Sequence, residues 1–506
     1  MTTNRIRPAH CVCCAVLAAA LAPSVAGAHE GIPPPLSVEQ AVQQAVAHNR
    51  ELLQRRLEAR RAEARQAAAW WELTPELDVT TGLTTVQDAT DLAVSSGEIL
   101  PSTLPRFAQA VGSSVALSWA TPIGTRLRAA LQLQRSLVGA DSPHDAAVVV
   151  SFAQPLLKDG WLRGATPALE ETSLAAALAR EVLRGELERL VLDVEVAYWD
   201  LALAQADVRI KMRSLERARR QRDDTAENIR RGILADAELY LVDENVVFFE
   251  SELVRAQEVL TSRRRSLARL LWREPDAALS ASEELLELDE RDAVPAATAS
   301  SLEAAIARNP AVAHGRLLVE LARARARAAS VRALPRLDLV GALAMSGTGT
   351  KEEPAAARLL ASPTQAAHVG VIFSLPLWQP AVRASVQAEQ LEAASTRFAL
   401  DGARRSVRHA VEGATSELAS HLRLAKLGRR RLELAERKLS AQLEKYKNGL
   451  STLADVVRFQ RELDEASFAL RRAVRDVLVS QARLLALQGR LADSGGVEVA
   501  AASESP

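Results

Sequence analysis

Residues 446–457 read Tyr446-Lys447-Asn448-Gly449-Leu450-Ser451-Thr452-Leu453-Ala454-Asp455-Val456-Val457, a turn set inside a long stretch without proline. No proline occurs from Ala381 to Ser505, so nothing there breaks a helix. After the turn Val456, Leu463, Leu470, Val477, Leu484 and Leu491 recur every seven residues, with Phe459, Ala466, Ala473, Ser480 and Leu487 as a second column. That is a heptad seam, and its mostly small second column lets a neighbouring helix approach closely. Residues 381–491 therefore predict a helical hairpin folded at Gly449, with an outgoing arm about 90 Å long at 1.5 Å per residue. A globular domain has no use for that length.

Composition agrees. The 506 residues carry 63 Lys and Arg against 63 Asp and Glu, 48 % apolar residues and only 4 % aromatics, the balance of a long-helix protein. Zero net charge leaves no footprint for nucleic acid, and the run Leu321-Ala-Arg-Ala-Arg-Ala-Arg327 reads as a solvated helix face. Arg5 and Arg7 precede twelve apolar residues, Cys11 to Ala22, followed by Ala26-Gly27-Ala28. This has the form of a secretory signal over residues 1–28, cleaved after Ala28, and it is too short to cross a bilayer. All three cysteines (Cys11, Cys13, Cys14) fall inside it, so the exported chain is expected to have no thiol or disulfide, and lipidation is not expected. No other stretch reaches eighteen consecutive apolar residues, so entry into a membrane requires a barrel.

The chain is a duplication. A short helix capped by Ser37 ends at Asn49 and a longer one reaches Trp71 before Pro75; a short helix from Ser301 ends at Asn309 and a longer one reaches Leu334 before Pro335. Asn49 and Asn309, Pro75 and Pro335, and Leu77-Asp78-Val79 and Leu337-Asp338-Leu339 are all offset by 260 residues. After each proline the apolar period shortens toward two, which predicts strands at about 76–153 and 336–375. Pro155 and Pro376 mark strand exits into the long helices, junctions where a missing N–H costs little. Residues 163–274, broken at Gly232, form the first hairpin, and Glu238 answers Asp455 six residues past its glycine. The expected division is 29–274 for the first repeat, 275–299 for an acidic linker, 300–491 for the second repeat and 492–506 for a disordered tail. An extra alternating pair, Ser113 to Trp119 and Thr125 to Leu133, either joins the sheet or decorates it.

Each repeat reads short helix, long helix, strand, loop, strand and very long hairpin. Four strands from one chain cannot close a barrel wide enough for solute, and open edges are forbidden in lipid, so several chains must share one barrel. Twelve long helices from three chains would wrap into a hollow tube beneath it.

In Leu36-Ser37-Val38-Glu39 with Asn49, in Leu73-Thr74-Pro75-Glu76-Leu77, in the exits Gln154-Pro155-Leu156 and Leu375-Pro376-Leu377, and above all in residues 446–457, the sequence resembles the TolC family of outer-membrane efflux proteins. The resemblance spans about residues 36–491. It implies a mainly α fold with β: duplicated helical hairpins forming a periplasmic tunnel, with strands contributed to a twelve-stranded barrel of a homotrimer. It implies a channel in the outer membrane and periplasm of a Gram-negative bacterium, in contact with outer-membrane lipid. The partners would be a periplasmic adaptor and an inner-membrane pump, in efflux or type I secretion. A periplasmic coiled-coil spacer without a channel is the alternative.

The resemblance also places the periplasmic aperture and adaptor-docking tips at Gly232, Glu238, Tyr446, Gly449, Ser451, Asp455 and Arg458. The family's constricting acid falls on Asp455, and three such carboxylates around an axis would attract cations. Arg458 occupies the position where a second acid would double the ring. Thr452 to Asp455 also fits a capping box, Glu238 a first-turn carboxylate, and the two glycines left-handed turns. Trp119, Phe152, Trp161, Phe373 and Trp378, at or near strand ends, suit either lipid headgroups or packing. The eight histidines are scattered and no catalytic motif occurs, so neither an enzyme nor a cofactor or metal site is expected.

Overall fold

A computed structural model describes residues 35–85, 109–137, 144–158, 160, 166–275, 279–282, 299–349, 354–375, 377–378 and 380–494. The signal with Ala26 and Ala28, Pro376, Trp161, most of the acidic linker and residues 495–506 lie outside them.

Helices α1 (Val38–His48) and α2 (Arg50–Trp71) open the described chain, and α5 (Ala299–Arg308) and α6 (Pro310–Arg332) repeat them. Ser37 caps α1 in a reciprocal box with Gln40. Asn49 caps α2 by accepting from Leu52 N at 3.0 Å, and Asn309 caps α6 by accepting from Ala311 N at 3.0 Å. Both asparagines are buried, and the Asn49 cap also satisfies the N–H of buried Leu52, a donor that water cannot reach. Asn309 further donates to the carbonyl of Leu487 at 2.8 Å, which ties the cap to the end of the last long helix.

The long helices are α3 (Thr166–Arg230, 65 residues) with α4 (Ala237–Leu270), and α8 (Pro380–Lys447, 68 residues) with α9 (Leu453–Leu487). At 1.5 Å per residue α3 and α8 are each about 100 Å long. Helices α2 and α4 both pack on α3, and α6 and α9 both pack on α8, so each long rod has two shorter ones as neighbours. The main core gathers where the repeats meet: Val42 and Ala45 of α1, Val191, Val194 and Tyr198 of α3, Leu267 of α4 and Ala482 of α9. Tyr198 donates its hydroxyl to Leu36 O at 2.8 Å and accepts from Ser282 N at 3.0 Å, holding residues 36 and 282 together.

Six strands form one antiparallel sheet in chain order: β1 (Glu76–Thr85), β2 (Gln109–Ala120), β3 (Arg126–Ser136), β4 (His144–Pro155), β5 (Arg336–Gly349) and β6 (Thr364–Ser374). The extra hairpin therefore joins the sheet, between β1 and β4, and the chain supplies six strands rather than four. A short α7 (Ala355–Ala361) sits between β5 and β6, against Gly347, where a Cβ would meet the backbone of Leu359 at 2.5 Å.

The Arg-rich run of α6 keeps Arg323, Arg325 and Arg327 exposed, and on that solvated face Arg325 pairs with Glu171 at 2.7 Å and Arg327 with Glu170 at 2.5 Å in the first turns of α3. One reading changes: residues 492–494, placed in the expected tail, belong to a helical turn, α10 (Leu491–Ser494), with Leu491 and Ala492 buried. Its start is held by Glu188, which accepts from Leu491 N at 3.1 Å and Ala492 N at 3.3 Å.

Candidate functional site

The two hairpin tips share one backbone device. After α3, Gly232 stands at φ 74°, Gly232 N donates to Ile229 O at 2.9 Å and Ile233 N to Asn228 O at 2.9 Å. After α8, Gly449 stands at φ 70°, Gly449 N donates to Tyr446 O at 3.0 Å and Leu450 N to Lys445 O at 2.8 Å. These are paired bonds that close a helix end through a left-handed residue. Nothing lies within 4 Å of where either Cβ would be, so glycine serves the backbone conformation and not a close contact.

Beyond the glycines the tips differ. Thr452 caps α9, accepting from Asp455 N at 3.3 Å and donating its hydroxyl to Asp455 Oδ2 at 2.7 Å. Arg458 pairs with Asp455 Oδ1 at 3.1 Å and stacks over Phe459. The Thr452 hydroxyl, and after it the Arg458 guanidinium, hold the Asp455 carboxyl below the usual carboxylate range. Ser451 accepts from the side chain of Gln442. At the other tip Glu238 lies in the first turn of α4, and the Asp236 cap makes no side-chain bond. Burial, with the Glu238 carboxylate adding to it, pushes the Tyr446 phenol above its ordinary value, so the two tips feel one another.

Between the hairpins runs a polar seam that sequence reading missed. Asp464 of α9 is 7 % exposed and accepts from Ser214 Oγ of α3 at 2.5 Å and from Arg217 at 2.6 Å. Arg461 donates to the buried Asn245 of α4 at 3.0 Å and lies 4.1 Å over the Phe248 ring. Nearer the sheet Asp200 pairs with Arg263 at 3.1 Å and with Arg475. The signal was a second stripe on α9, Leu453, Val457, Gln460 and Asp464 at helical spacing, whose polar members resemble surface residues.

At the opposite end the sheet has two unlike faces. The register sets Leu77, Leu117, Ala129, Val150, Leu343 and Ala367 in one row and Val79, Val115, Leu131, Val148, Met345 and Gln365 in another on the same face. Leu77, Val79, Val150 and Leu343 are 46–67 % exposed, so this apolar face is bare. Trp119, Phe152 and Phe373 lie on it near the helix end, with Phe152 over Gly341, where a Cβ would come within 2.2 Å of its ring. The other face sets Glu76, Ser118, Arg128, Ser151, Ala342 and His368 in one row and is polar or small along most of its length. Such a two-faced sheet has the chemistry of a boundary between an apolar medium and water.

Pro75 and Pro335 immediately precede β1 and β5, and Pro155 closes β4, where the chain turns so tightly that a Cβ on Gly160 would lie 2.2 Å from the Pro155 carbonyl oxygen. Trp378 is almost fully exposed beyond β6. Among the described residues no helix is long and apolar enough to cross a membrane.

Residues 301–490 match the family model described as outer membrane efflux protein. A search of curated proteins finds no match. The fold is shared with solved outer-membrane proteins. VceC of Vibrio cholerae superposes with a TM-score of 0.62 at 14 % identity, over 90 % of this chain and 96 % of that one. The CmeC outer membrane channel of Campylobacter jejuni gives 0.64 at 12 % identity, over 92 % and 89 %. The open-state MtrE channel of Neisseria gonorrhoeae gives 0.61 at 15 % identity, over 90 % and 89 %.

Proposed function

On the premise that residues 301–490 belong to the outer membrane efflux protein family and that the chain has the TolC-like fold of solved outer-membrane channels, we propose that it is the passive exit duct of an efflux or type I secretion system. Three copies join their sheets into a barrel in outer-membrane lipid and their helical hairpins into a tunnel crossing the periplasm. The tips around Gly232 and Gly449 form the narrow end, where a periplasmic adaptor bound to an inner-membrane pump docks. Energy and substrate choice reside in that pump, and the duct performs no covalent chemistry.

The observation that carries this reading is the sheet: an exposed apolar face backed by a polar one, at the end of helices about 100 Å long. A periplasmic spacer would need hairpins but no bare apolar sheet.

The test is single-channel conductance of the protein in planar lipid bilayers, with oligomeric mass in detergent measured on the same sample. A trimer with small, cation-sensitive openings is expected. A water-soluble monomer that neither inserts nor conducts would withdraw the duct.

A further inference from the structure

We propose that the β2–β3 hairpin is part of the barrel wall, so that three copies close an eighteen-stranded barrel rather than one of twelve. The inference rests on the trimeric reading above for the number of copies. The strands per copy are its own content.

Three observations carry it. First, β2 and β3 are paired along most of their length on both sides, from Glu76↔Ser118 to Thr85↔Gln109 against β1 and from Arg126↔Ala153 to Arg135↔His144 against β4. A decorating hairpin would leave β1 and β4 neighbours, and here they are separated by two complete strands and the three ladders that join them. Second, the hairpin obeys the same inside–outside alternation as its neighbours. Val115, Leu117 and Leu131 are exposed on the apolar face, while Ser114, Ser118 and Arg128 lie on the polar one. A hairpin folded away into water would have no use for that bare apolar stripe.

Third, its turn, residues 121–125, with Gly124 at φ 85°, is pinned at both flanking strand–helix junctions. Trp119 donates its indole N–H to Leu73 O at 2.9 Å, just ahead of Pro75. Thr125 donates its hydroxyl to the side chain of Gln154, just ahead of Pro155.

The remaining edges fit a second copy of this chain. β1 has 10 residues and β6 has 11, both with unpaired outer edges, and the two run antiparallel to one another because the sheet has an even number of strands. Six strands fall below the smallest membrane barrels, of about eight, so one copy cannot close on itself. Joining β6 of one copy to β1 of the next continues the antiparallel order without a break. The resulting diameter is about one and a half times that of a twelve-stranded barrel, since diameter grows roughly linearly with strand number.

The test is electron cryomicroscopy of the protein in lipid nanodiscs, with thiol labelling of Val115→Cys and Ser114→Cys variants in native membranes. A threefold ring of eighteen strands is expected, with the Val115→Cys thiol reached by a membrane-soluble maleimide and the Ser114→Cys thiol by a charged aqueous reagent. A threefold channel walled by twelve strands, or equal aqueous reactivity of both thiols, overturns the inference and leaves the duct intact. A dimer closing twelve strands overturns it as well. A monomer without a barrel removes the duct and the inference together.

Discussion

Arg217 of α3 and Asp464 of α9 meet at 2.6 Å across the line where the two hairpins touch, 247 residues apart in the chain. Ser214 completes the site, and Asp464 is buried while Arg217 reaches solvent. Removing only the cation strands a buried carboxylate. Arg217→Ala is expected to destabilise by about 2 kcal/mol, less than a fully buried pair because Arg217 is partly solvated. Replacing both residues by leucine is expected to restore most of the loss, since the desolvation cost disappears with the charges. A double-mutant cycle of thermal unfolding checks this, and additive losses would contradict it.

At the tip, the Asp455 charge is shared between a helix cap and Arg458. In planar bilayers Arg458→Ala is expected to strengthen divalent-cation block several-fold by freeing the carboxylate, and Asp455→Ala to abolish it. The Thr452 hydroxyl contributes most to keeping that carboxyl ionised. Block should therefore persist to lower pH than an ordinary carboxylate allows, and Thr452→Ala should move its loss upward in pH. Identical block in all the variants would leave Asp455 only its capping role.

Three glycines at positive φ separate conformation from crowding. Gly232 and Gly449 face open space, so Ala at either is expected to cost about 1 kcal/mol, the left-handed penalty alone. Gly489, at φ 62°, would put a Cβ 2.8 Å from the Arg308 carbonyl oxygen, and Gly489→Ala should cost about 2 kcal/mol or more. Chemical denaturation of the three variants reads the difference, and equal losses would show that the Arg308 contact yields freely.

Glu188 gives the fold a pH dependence. Burial pushes its carboxyl from 4.5 up to about 6, although the N–H groups of Ala492 and Leu491 and the Arg184 charge pull the other way. A carboxyl protonated more readily when folded contributes fully below about pH 4.5 and loses that contribution as pH rises through about 6. Glu188→Gln is expected to match the parent at pH 4 and to exceed it by about 1–2 kcal/mol at pH 8. Urea unfolding at the two pH values is the measurement, and a difference independent of pH would exclude the mechanism.

The rods and tips were legible because their determinants are local. Absence of proline, the seven-residue recurrence from Val456 to Leu491 and the glycines at 232 and 449 each act within a turn or two of helix. The alternation of residues 113–133 was equally visible, but its place between β1 and β4 depends on pairing partners elsewhere in the chain, which periodicity does not encode. Asp464 was illegible for another reason. A charged residue at helical spacing reads as solvated until Ser214 and Arg217, some 250 residues away, are brought against it. The Thr452 cap on Asp455 was readable, whereas the nearness of Glu238 to Tyr446 needed both hairpins in place.

The two unpaired edges, β1 and β6, also govern what happens before any channel exists. A newly exported single copy carries two bare hydrogen-bonding ladders and a wet apolar sheet, the ingredients from which strands accrete indiscriminately. On the proposed trimeric assembly, its time alone in water is a race between capture by two siblings and disordered clumping. Yield should rise when insertion is fast and fall when synthesis outruns it, so the biogenesis of this protein is governed by timing as much as by stability.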